Sequence, residues 1–335
     1  MQRPRHDVPA EPLRVVIAGG GTGGHLYPGI AVARELLRRR PDAVVTFAGT
    51  ERGIEARVLP REGFRLDTLR SGGLKGKSVA DRLRGMGLIP LGLVDALRIL
   101  SSRRPRLVIG VGGYSSGPVV MMAALRGIPT MLLEQNAVPG LTNRLLARFV
   151  RAAAVTYDST RAFFGTKAFV SGNPVRPEFL EVEPAAAGEG AGGRTQVLVF
   201  GGSQGAHGIN VAMVEAAPLL AALGGQLAIV HQTGEKDVEL VRSAYRQAGL
   251  DASVEPFLYD MGRRLRAADV VVSRAGATTL AELAAAGKAA VLVPLPTATD
   301  DHQRKNAEAW QRVGAAEVLL QADATGERIA ALVRA

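Results

Sequence analysis

From Leu13 the chain sets out a pattern that it later repeats. An apolar, β-rich run (Val15, Val16, Ile17) enters six residues that hold five glycines, Gly19 to Gly24. Apolar positions then recur at helical spacing: Ile30, Val32, Ala33, Leu36 and Leu37. Strand, glycine turn and helix in that order aim backbone N–H groups and a helix N-terminus at an anion. Near residue 200 the pattern returns as QVLVFGGSQGAHGINVAMVEAAPLL, with Gly201, Gly202 and Gly205 in the turn. Two such units predict two nucleotide-type α/β domains.

Between them the alternation continues. Val44 to Gly49 predicts a second strand, Ile54 to Arg61 a short helix, and Phe64 to Leu69 another strand. Ser71 to Lys77 is a basic, glycine-rich loop carrying Lys75 and Lys77. Leu83 to Leu100 is unusually apolar and is punctuated by arginines, Arg82 and Arg84 among them. Such a segment fits a buried core helix, and it also fits a helix lying in a membrane interface. Next come a strand at Leu107 to Val111, the loop Gly112 to Gly117, a helix, and a strand ending in Glu134-Gln135-Asn136. The far half echoes this with a strand at Val270 to Ser273, a helix at Thr278 to Ala286 and a strand at Ala290 to Val293. The alternation predicts an α/β fold of two Rossmann-like domains, with parallel sheets covered by helices on both faces. Two prolines and a glycine in Ser171 to Pro177 suit a linker, dividing the chain into 1–172 and 173–335. Glu183 to Arg194 is rich in Ala and Gly and reads as a surface loop.

Composition narrows the chemistry. A length of 335 residues suits two domains with ample core. With no cysteine there is no disulfide and no thiolate metal site, and the five histidines lie far apart. The net charge of +10 reads first as solvated arginine-rich helix faces and second as attraction to a polyanion or an anionic membrane. Aromatics make up 4% and do not interleave with basic residues, which argues against nucleic acid. The polar start, Met1 to Pro12, lacks a signal-peptide core, and no apolar run reaches a membrane-spanning length. The expectation is a soluble or peripheral protein.

Gly19, Gly21 and Gly24 also fit the dinucleotide motif G-x-G-x-x-G. A dehydrogenase needs an acidic residue at the end of the second strand, and here Ala48-Gly49-Thr50 stands there with Glu51 late. That argues against a nicotinamide cofactor. The polar loops at the carboxyl ends of the strands should converge on a cleft between the domains and favour a pyrophosphate-bearing ligand. Thr278 or Thr279 can cap the helix that follows Gly276. Glu282 lies one turn on, where it can either complement the helix dipole or accept two hydrogen bonds from ribose hydroxyls. His25 starts its helix, where a neutral ring able to accept a proton is favoured; it is either a base or a structural residue. There is no Asp-x-Asp pair to hold a metal on a sugar nucleotide, so helix dipoles and cations would stabilise a leaving diphosphate.

Seven blocks then carry a resemblance: GGGTGGHLYPGIAVA, GVGGYSSGP, EQNAVPGLTNRLLAR, GNPVR, GGSQGAHGIN, RAGATTLAELAAAGK and DDHQRKNA. From residue 15 to about 310 they closely resemble, in order, the MurG family of UDP-N-acetylglucosamine transferases within glycosyltransferase family 28. The resemblance implies the two-domain GT-B fold. It also implies inverting transfer of N-acetylglucosamine to undecaprenyl-pyrophosphoryl-N-acetylmuramoyl-pentapeptide (lipid I), giving lipid II for peptidoglycan. The location implied is the cytoplasmic face of the cell membrane, held peripherally, and no metal or other cofactor is implied. By motif, Thr22-Gly23-Gly24 and Ser203-Gln204-Gly205 match the diphosphate-facing loops. Asn136 and Arg176 match contacts to the sugar nucleotide, and Leu258 a main-chain contact to uracil. Gly276, Ala277, Thr278, Thr279, Leu280 and Ala281 match the helix-start contacts, and Glu282 the ribose acceptor. Gln303 matches the glutamine on the sugar, with His302 the alternative, and His25 the residue that takes the acceptor proton. An anionic inner-membrane surface is expected to meet Lys75, Lys77, Arg82, Leu83, Arg84, Met86 and Ile89. Proteins of cell-wall synthesis and division are the further expected partners. A related glycolipid transferase with another acceptor, and a non-enzymatic sugar-nucleotide binder, are the alternatives. The family pattern runs past Ala335 into a terminal helix, so this chain's last element is expected to be short or incomplete.

Overall fold

The apolar runs become strands because Val, Ile and Phe fill both faces of a parallel sheet. The computed structural model describes residues 11–71, 79–180, 193–202, 204–223 and 225–334, and of residues 79–89 and Pro177 the backbone alone. The chain divides into two compact units, Met1–Glu134 with Pro139–Pro174, and Gln135–Val138 with Val175–Ala335. Four residues of the first half thus belong to the second unit.

The first unit runs β1 (Arg14–Ala18), α1 (Gly23–Arg39), β2 (Val44–Gly49), α2 (Glu55–Arg61), β3 (Arg65–Thr68) and α3 (Val79–Arg103). It continues with β4 (Leu107–Gly110), α4 (Ser116–Leu125), β5 (Thr130–Glu134), α5 (Leu141–Leu146), β6 (Ala152–Val155) and β7 (Ala168–Val170). All strands are parallel, in the order β3-β2-β1-β4-β5-β6-β7. Ile17 lies between Phe47 and Ile109 in register. Leu26, Ile30 and Ala33 on α1 are buried, which is the i, i+4, i+7 stripe that holds a helix to a sheet. Chain order reverses between β1 and β4, so the loops after these two strands flank the crevice where open α/β sheets bind ligands.

The second unit runs β8 (Thr195–Phe200), α6 (His207–Ala221), β9 (Leu227–Gln232), α7 (Val238–Gln247), β10 (Ala252–Glu255) and α8 (Met261–Ala267). Then come β11 (Val270–Ser273), α9 (Ala277–Ala285), β12 (Ala290–Leu292), α10 (His302–Arg312), β13 (Ala316–Val318) and α11 (Gly326–Arg334). Its six parallel strands are ordered β10-β9-β8-β11-β12-β13. The reversal falls between β8 and β11, and the loops after them carry GGSQG and RAG.

The apolar segment at 83–100 lies within α3. Ala96, Ile99 and Leu100 on its last turns are core, whereas Leu91 and Val94 are 40% and 42% exposed. Arg70 and Arg103 tie the helix down through ion pairs to Asp95 (2.8 Å) and Asp67 (2.5 Å). Arg82, Leu83, Arg84, Met86 and Ile89 lie on α3, and their side chains are outside the described set. Lys75, Lys77, Ser203 and the 183–192 stretch lie outside the described residues. Among the described residues no helix is long and apolar enough to cross a membrane.

Candidate functional site

In the first unit the loops after β1 and β4 interlock through glycine. Gly112 and Gly113 adopt φ +95° and +79°, a region that side chains rarely enter. A Cβ on Gly113 would stand 2.5 Å from the Gly20 carbonyl, and one on Gly112 would stand 2.6 Å from Cδ2 of His25. His25 is the third residue of α1, half-buried, and its Nδ1 lies 3.0 Å from the Thr22 hydroxyl. Thr22 is the N-cap by backbone, although its side chain makes no capping bond to the helix amides. The histidine is therefore held by Thr22 on one side and by a glycine surface on the other.

The glycine tract does not aim all its amides outward. Gly19 N–H donates to the Ala48 carbonyl (3.1 Å), and Gly21 N–H donates to Oε2 of Glu55 (2.9 Å). Glu55 is fully buried, and its other oxygen accepts from the Thr50 amide and hydroxyl, both at 2.8 Å. Of the loop residues, Thr22, Gly23 and Gly24 open the helix; the His25 amide already turns back to the Thr22 carbonyl (3.3 Å), so it is the Gly23 and Gly24 amides at the helix start that can meet an anion. The sequence test for an acidic residue after the second strand stops at Glu51, which is exposed. Glu55, four residues on, turns under the loop instead. Its trace in the sequence is its place among Gly20, Gly49 and Gly53, which leave room for the carboxylate.

The second unit repeats the arrangement with different bracing. Gly205 (φ +72°) packs its Cα on the Thr233 carbonyl with no room for a side chain, and its N–H donates to the Gly202 carbonyl at 2.9 Å. Gln232 donates to that same carbonyl at 2.8 Å. Behind the loop, Asn210 donates to the Thr233 carbonyl (2.9 Å) and to Asp237 (2.7 Å). Its Oδ1 is then the acceptor for Nε2 of buried His231 (3.0 Å), which leaves Nδ1 to accept from the Tyr245 hydroxyl (2.8 Å). Burial drives the His231 imidazole down to about 3, with Asp237 pulling weakly the other way, so the ring stays neutral. Gln204 is exposed at the tip of the loop.

At α9 the structure corrects one expectation. Gly276, in extended conformation, is the N-cap, and neither Thr278 nor Thr279 caps the helix. Both threonines lie in the first turn with Ala277; Leu280 is core, Ala281 is half-buried, and the Thr278 hydroxyl is buried with no hydrogen-bond partner. Glu282 is buried too. Arg176 reaches its Oε1 from Nη2 at 2.9 Å, while Arg176 Nη1 meets Glu178 at 2.9 Å and its guanidinium lies 4.7 Å from the Phe179 ring centroid. Burial pushes the Glu282 carboxyl above the ordinary glutamate range, and the Arg176 charge opposes that shift.

Leu258 is buried in the same core as Leu280 and Leu283, between Phe257 and Tyr259, whose rings meet edge-on at 4.8 Å. Gln303 uses Oε1 to accept from the Leu295 amide (3.0 Å), and His302 engages the Thr299 carbonyl (2.7 Å). Asp300 and Asp301, both left-handed in φ, make the bend that presents these two side chains. Asn136 belongs to the second unit. Asn306, fully buried on α10, donates to the Asn136 side chain (3.1 Å) and the Ala275 carbonyl (3.3 Å) while accepting from the Ala137 amide (2.8 Å). Around these loops the second unit thus gathers Asn136, Arg176, Leu258, Gly276 to Glu282 and Gln303, and the first unit gathers Thr22 to His25. Among the described residues no three His, Asp or Glu side chains group as metal ligands.

Two parallel sheets, each with a glycine loop and a helix start at its topological switch point, define a two-domain α/β glycosyltransferase of the GT-B class. Residues 15–155 match the glycosyltransferase family 28 N-terminal domain, and residues 196–335 match the family's C-terminal domain. The UDP-N-acetylglucosamine–N-acetylmuramyl-(pentapeptide) pyrophosphoryl-undecaprenol N-acetylglucosamine transferase of Syntrophus aciditrophicus is 49% identical over 95% of this chain and 88% of its own length. Its namesake from Myxococcus xanthus is 49% identical over 96% of this chain and 84% of its own. The crystal structure of Acinetobacter baumannii MurG superposes with a TM-score of 0.78 at 32% identity, covering 96% of this chain and 90% of that one. The chain belongs to glycosyltransferase family 28 and, within it, to the MurG family of hexosyltransferases.

Proposed function

We propose that this chain moves N-acetylglucosamine from UDP-N-acetylglucosamine to lipid I with inversion, releasing UDP and forming lipid II for peptidoglycan. The observation that carries this reading is 49% identity, along 95% of the chain, to a transferase whose name states that reaction. The donor binds to the second unit. Glu282 accepts the ribose hydroxyls once the nucleotide displaces Arg176 from its carboxylate. Leu258 lends its main chain to uracil, while Asn136, Arg176 and Gln303 contact the sugar nucleotide. The start of α9 (Gly276 to Ala281) and the Ser203-Gln204-Gly205 loop face the diphosphate, with Thr22-Gly23-Gly24 facing it from the first unit. Helix N-termini and Arg176 offset the charge on departing UDP, and the assignment calls for no metal ion. His25 takes the proton from the acceptor hydroxyl as that oxygen bonds to the anomeric carbon and the bond to UDP breaks.

The first unit meets the cytoplasmic face of the cell membrane through Lys75, Lys77, Arg82 and Arg84 together with Leu83, Met86 and Ile89. The exposed Leu91 and Val94 on the same helix support this. There the enzyme serves cell-wall growth, cell shape and division alongside the proteins of those processes. UDP release with a lipid I analogue tests the reaction; release with a different glycolipid alone would assign the chain to another transferase. Sedimentation with anionic vesicles at low and high salt tests the membrane face, since each basic residue there adds about 1 kcal/mol. Binding that is insensitive to alanine at Lys75 and Lys77 together would remove the loop from that face.

A further inference from the structure

Glu55 has no place in the chemistry above, yet it is the only fully exposure-free carboxylate in the buried set of described residues. All three of its hydrogen bonds are donated to it: Gly21 N–H meets Oε2 at 2.9 Å, and the Thr50 amide and hydroxyl meet Oε1 at 2.8 Å each. The two oxygens therefore have separate duties. One holds the strand end after β2, and the other holds the glycine loop after β1. The surroundings are shaped to the carboxylate: a Cβ on Gly20 would fall 2.5 Å from it, one on Gly49 would fall 2.8 Å from its Cγ, and one on Gly53 would overlap it. One residue beyond Gly21 stands Thr22, whose hydroxyl lies 3.0 Å from Nδ1 of His25.

We propose that Glu55 is a positioning residue for the transfer reaction: by fixing Gly21 it sets the Thr22 hydroxyl, and through it the His25 ring. This rests on the assignment of His25 to the acceptor side. Glu55 touches neither substrate nor reacting atoms. Its carboxylate is needed because an acceptor-only group satisfies three donors at once. An amide of the same shape can serve Thr50 with its oxygen but then turns an NH2 towards the Gly21 N–H, donor against donor.

The test is Glu55→Gln beside Thr50→Val, which removes one hydrogen bond from the other carboxylate oxygen and leaves Gly21 held. In Glu55→Gln, kcat/KM for a lipid I analogue should fall at least about 30-fold, because placement errors of about 1 Å carry losses of that order. The Kd for UDP-N-acetylglucosamine, whose assigned contacts lie mainly on the second unit, should rise far less than kcat/KM falls, by no more than about fivefold, and Thr50→Val should keep acceptor kcat/KM within about threefold. Unchanged acceptor kinetics in Glu55→Gln, an equal loss in Thr50→Val, or a parallel loss of donor affinity would each overturn the proposal in favour of general loosening. Hydrogen exchange at the Gly21 amide of the unaltered protein decides the matter if the glutamine variant does not fold. Exchange slowed at least about 100-fold against an unstructured glycine supports the brace, and loop-like exchange overturns it. If the unaltered protein fails to use the lipid I analogue, the functional assignment falls by itself, and the exchange result still reports on Glu55.

Discussion

The two glycine loops arise from one sequence pattern and are braced in opposite senses. Beneath the first, a carboxylate accepts the Gly21 N–H; beneath the second, the Gln232 amide donates to the Gly202 carbonyl. The first brace draws an amide inward and places negative charge under the loop. The second draws a carbonyl inward onto a neutral amide. A glycine tract permits close approach to an anion, but the group underneath decides which amides are left to make it. On the proposed function, both loops face the diphosphate, and the first has the added task of placing the His25 side chain.

The sharpest way to break this contrast is at His25. His25→Ala should lower kcat/KM by about 10²–10⁴-fold while donor affinity holds, as expected for a lost general base on the acceptor side. Low activity alone would also follow from lost positioning, so the pH profile decides. In the unaltered enzyme the rate should fall on acidification as the base takes up a proton. Should that limb persist in His25→Gln, another group is the base.

The second unit carries the next effect. Glu282→Ala should weaken UDP-N-acetylglucosamine by tenfold or more in calorimetry, since hydrogen bonds to a charged group are worth about 1.5–3 kcal/mol each. Because burial raises this carboxyl above the ordinary glutamate range, donor affinity should fall with decreasing pH before an unperturbed glutamate would titrate. Unchanged binding in the alanine variant would remove Glu282 from the site.

The smallest effect separates the stabilities of the two units. His231 titrates at about 3 when folded against an ordinary 6.5, so below pH 6.5 the unfolded chain takes up the proton that the folded one refuses. Stability should therefore fall as pH falls from about 6.5, by at most about 1.4 kcal/mol per pH unit. In the first unit the Arg70 guanidinium holds the Asp95 carboxyl at about 2, so that pair keeps its contribution above pH 4 and loses it only towards pH 2. Urea unfolding across pH, with probes in each unit, should show the second unit weakening first. Parallel decline would contradict the assignment.

Periodic, strongly apolar segments are legible in the sequence alone. The strand at Val270–Ser273 has the bounds its pattern predicts, and the repeat near residue 200 is a strand and a helix around glycines. What escaped are groups whose role depends on long-range placement. Asn306 falls within the block DDHQRKNA, but nothing local marks its role, because its partners Asn136 and Ala137 lie about 170 positions away. Glu55 reads as an ordinary first-turn acid on a seven-residue helix, and only the converging glycines reveal what it supports. Likewise the Thr278-Thr279 pair carries a capping signature, but Gly276 begins α9 earlier and leaves the Thr278 hydroxyl buried. Composition cannot weigh such competitions, since they are settled by which backbone arrives first at the helix start.

The segment Gln135–Val138 has a consequence in time. It leaves the ribosome with the first unit, yet its partner Asn306 follows 170 residues later. At about 5–20 residues per second, the segment waits roughly 10–30 s for the side chain that will hold it. The sheet from β1 to β7 can form during that interval, while the bonds that Asn306 makes to Asn136 and Ala137 are still missing. Stalled chains ending near residue 250 should show faster exchange at the Ala137 amide than the full chain does, beside slow exchange in β4 and β5; equal protection at both lengths would show that Asn306 is not what protects it. Nascent chains of this protein thus assemble their first sheet before Asn306 reaches the loop that follows its fifth strand.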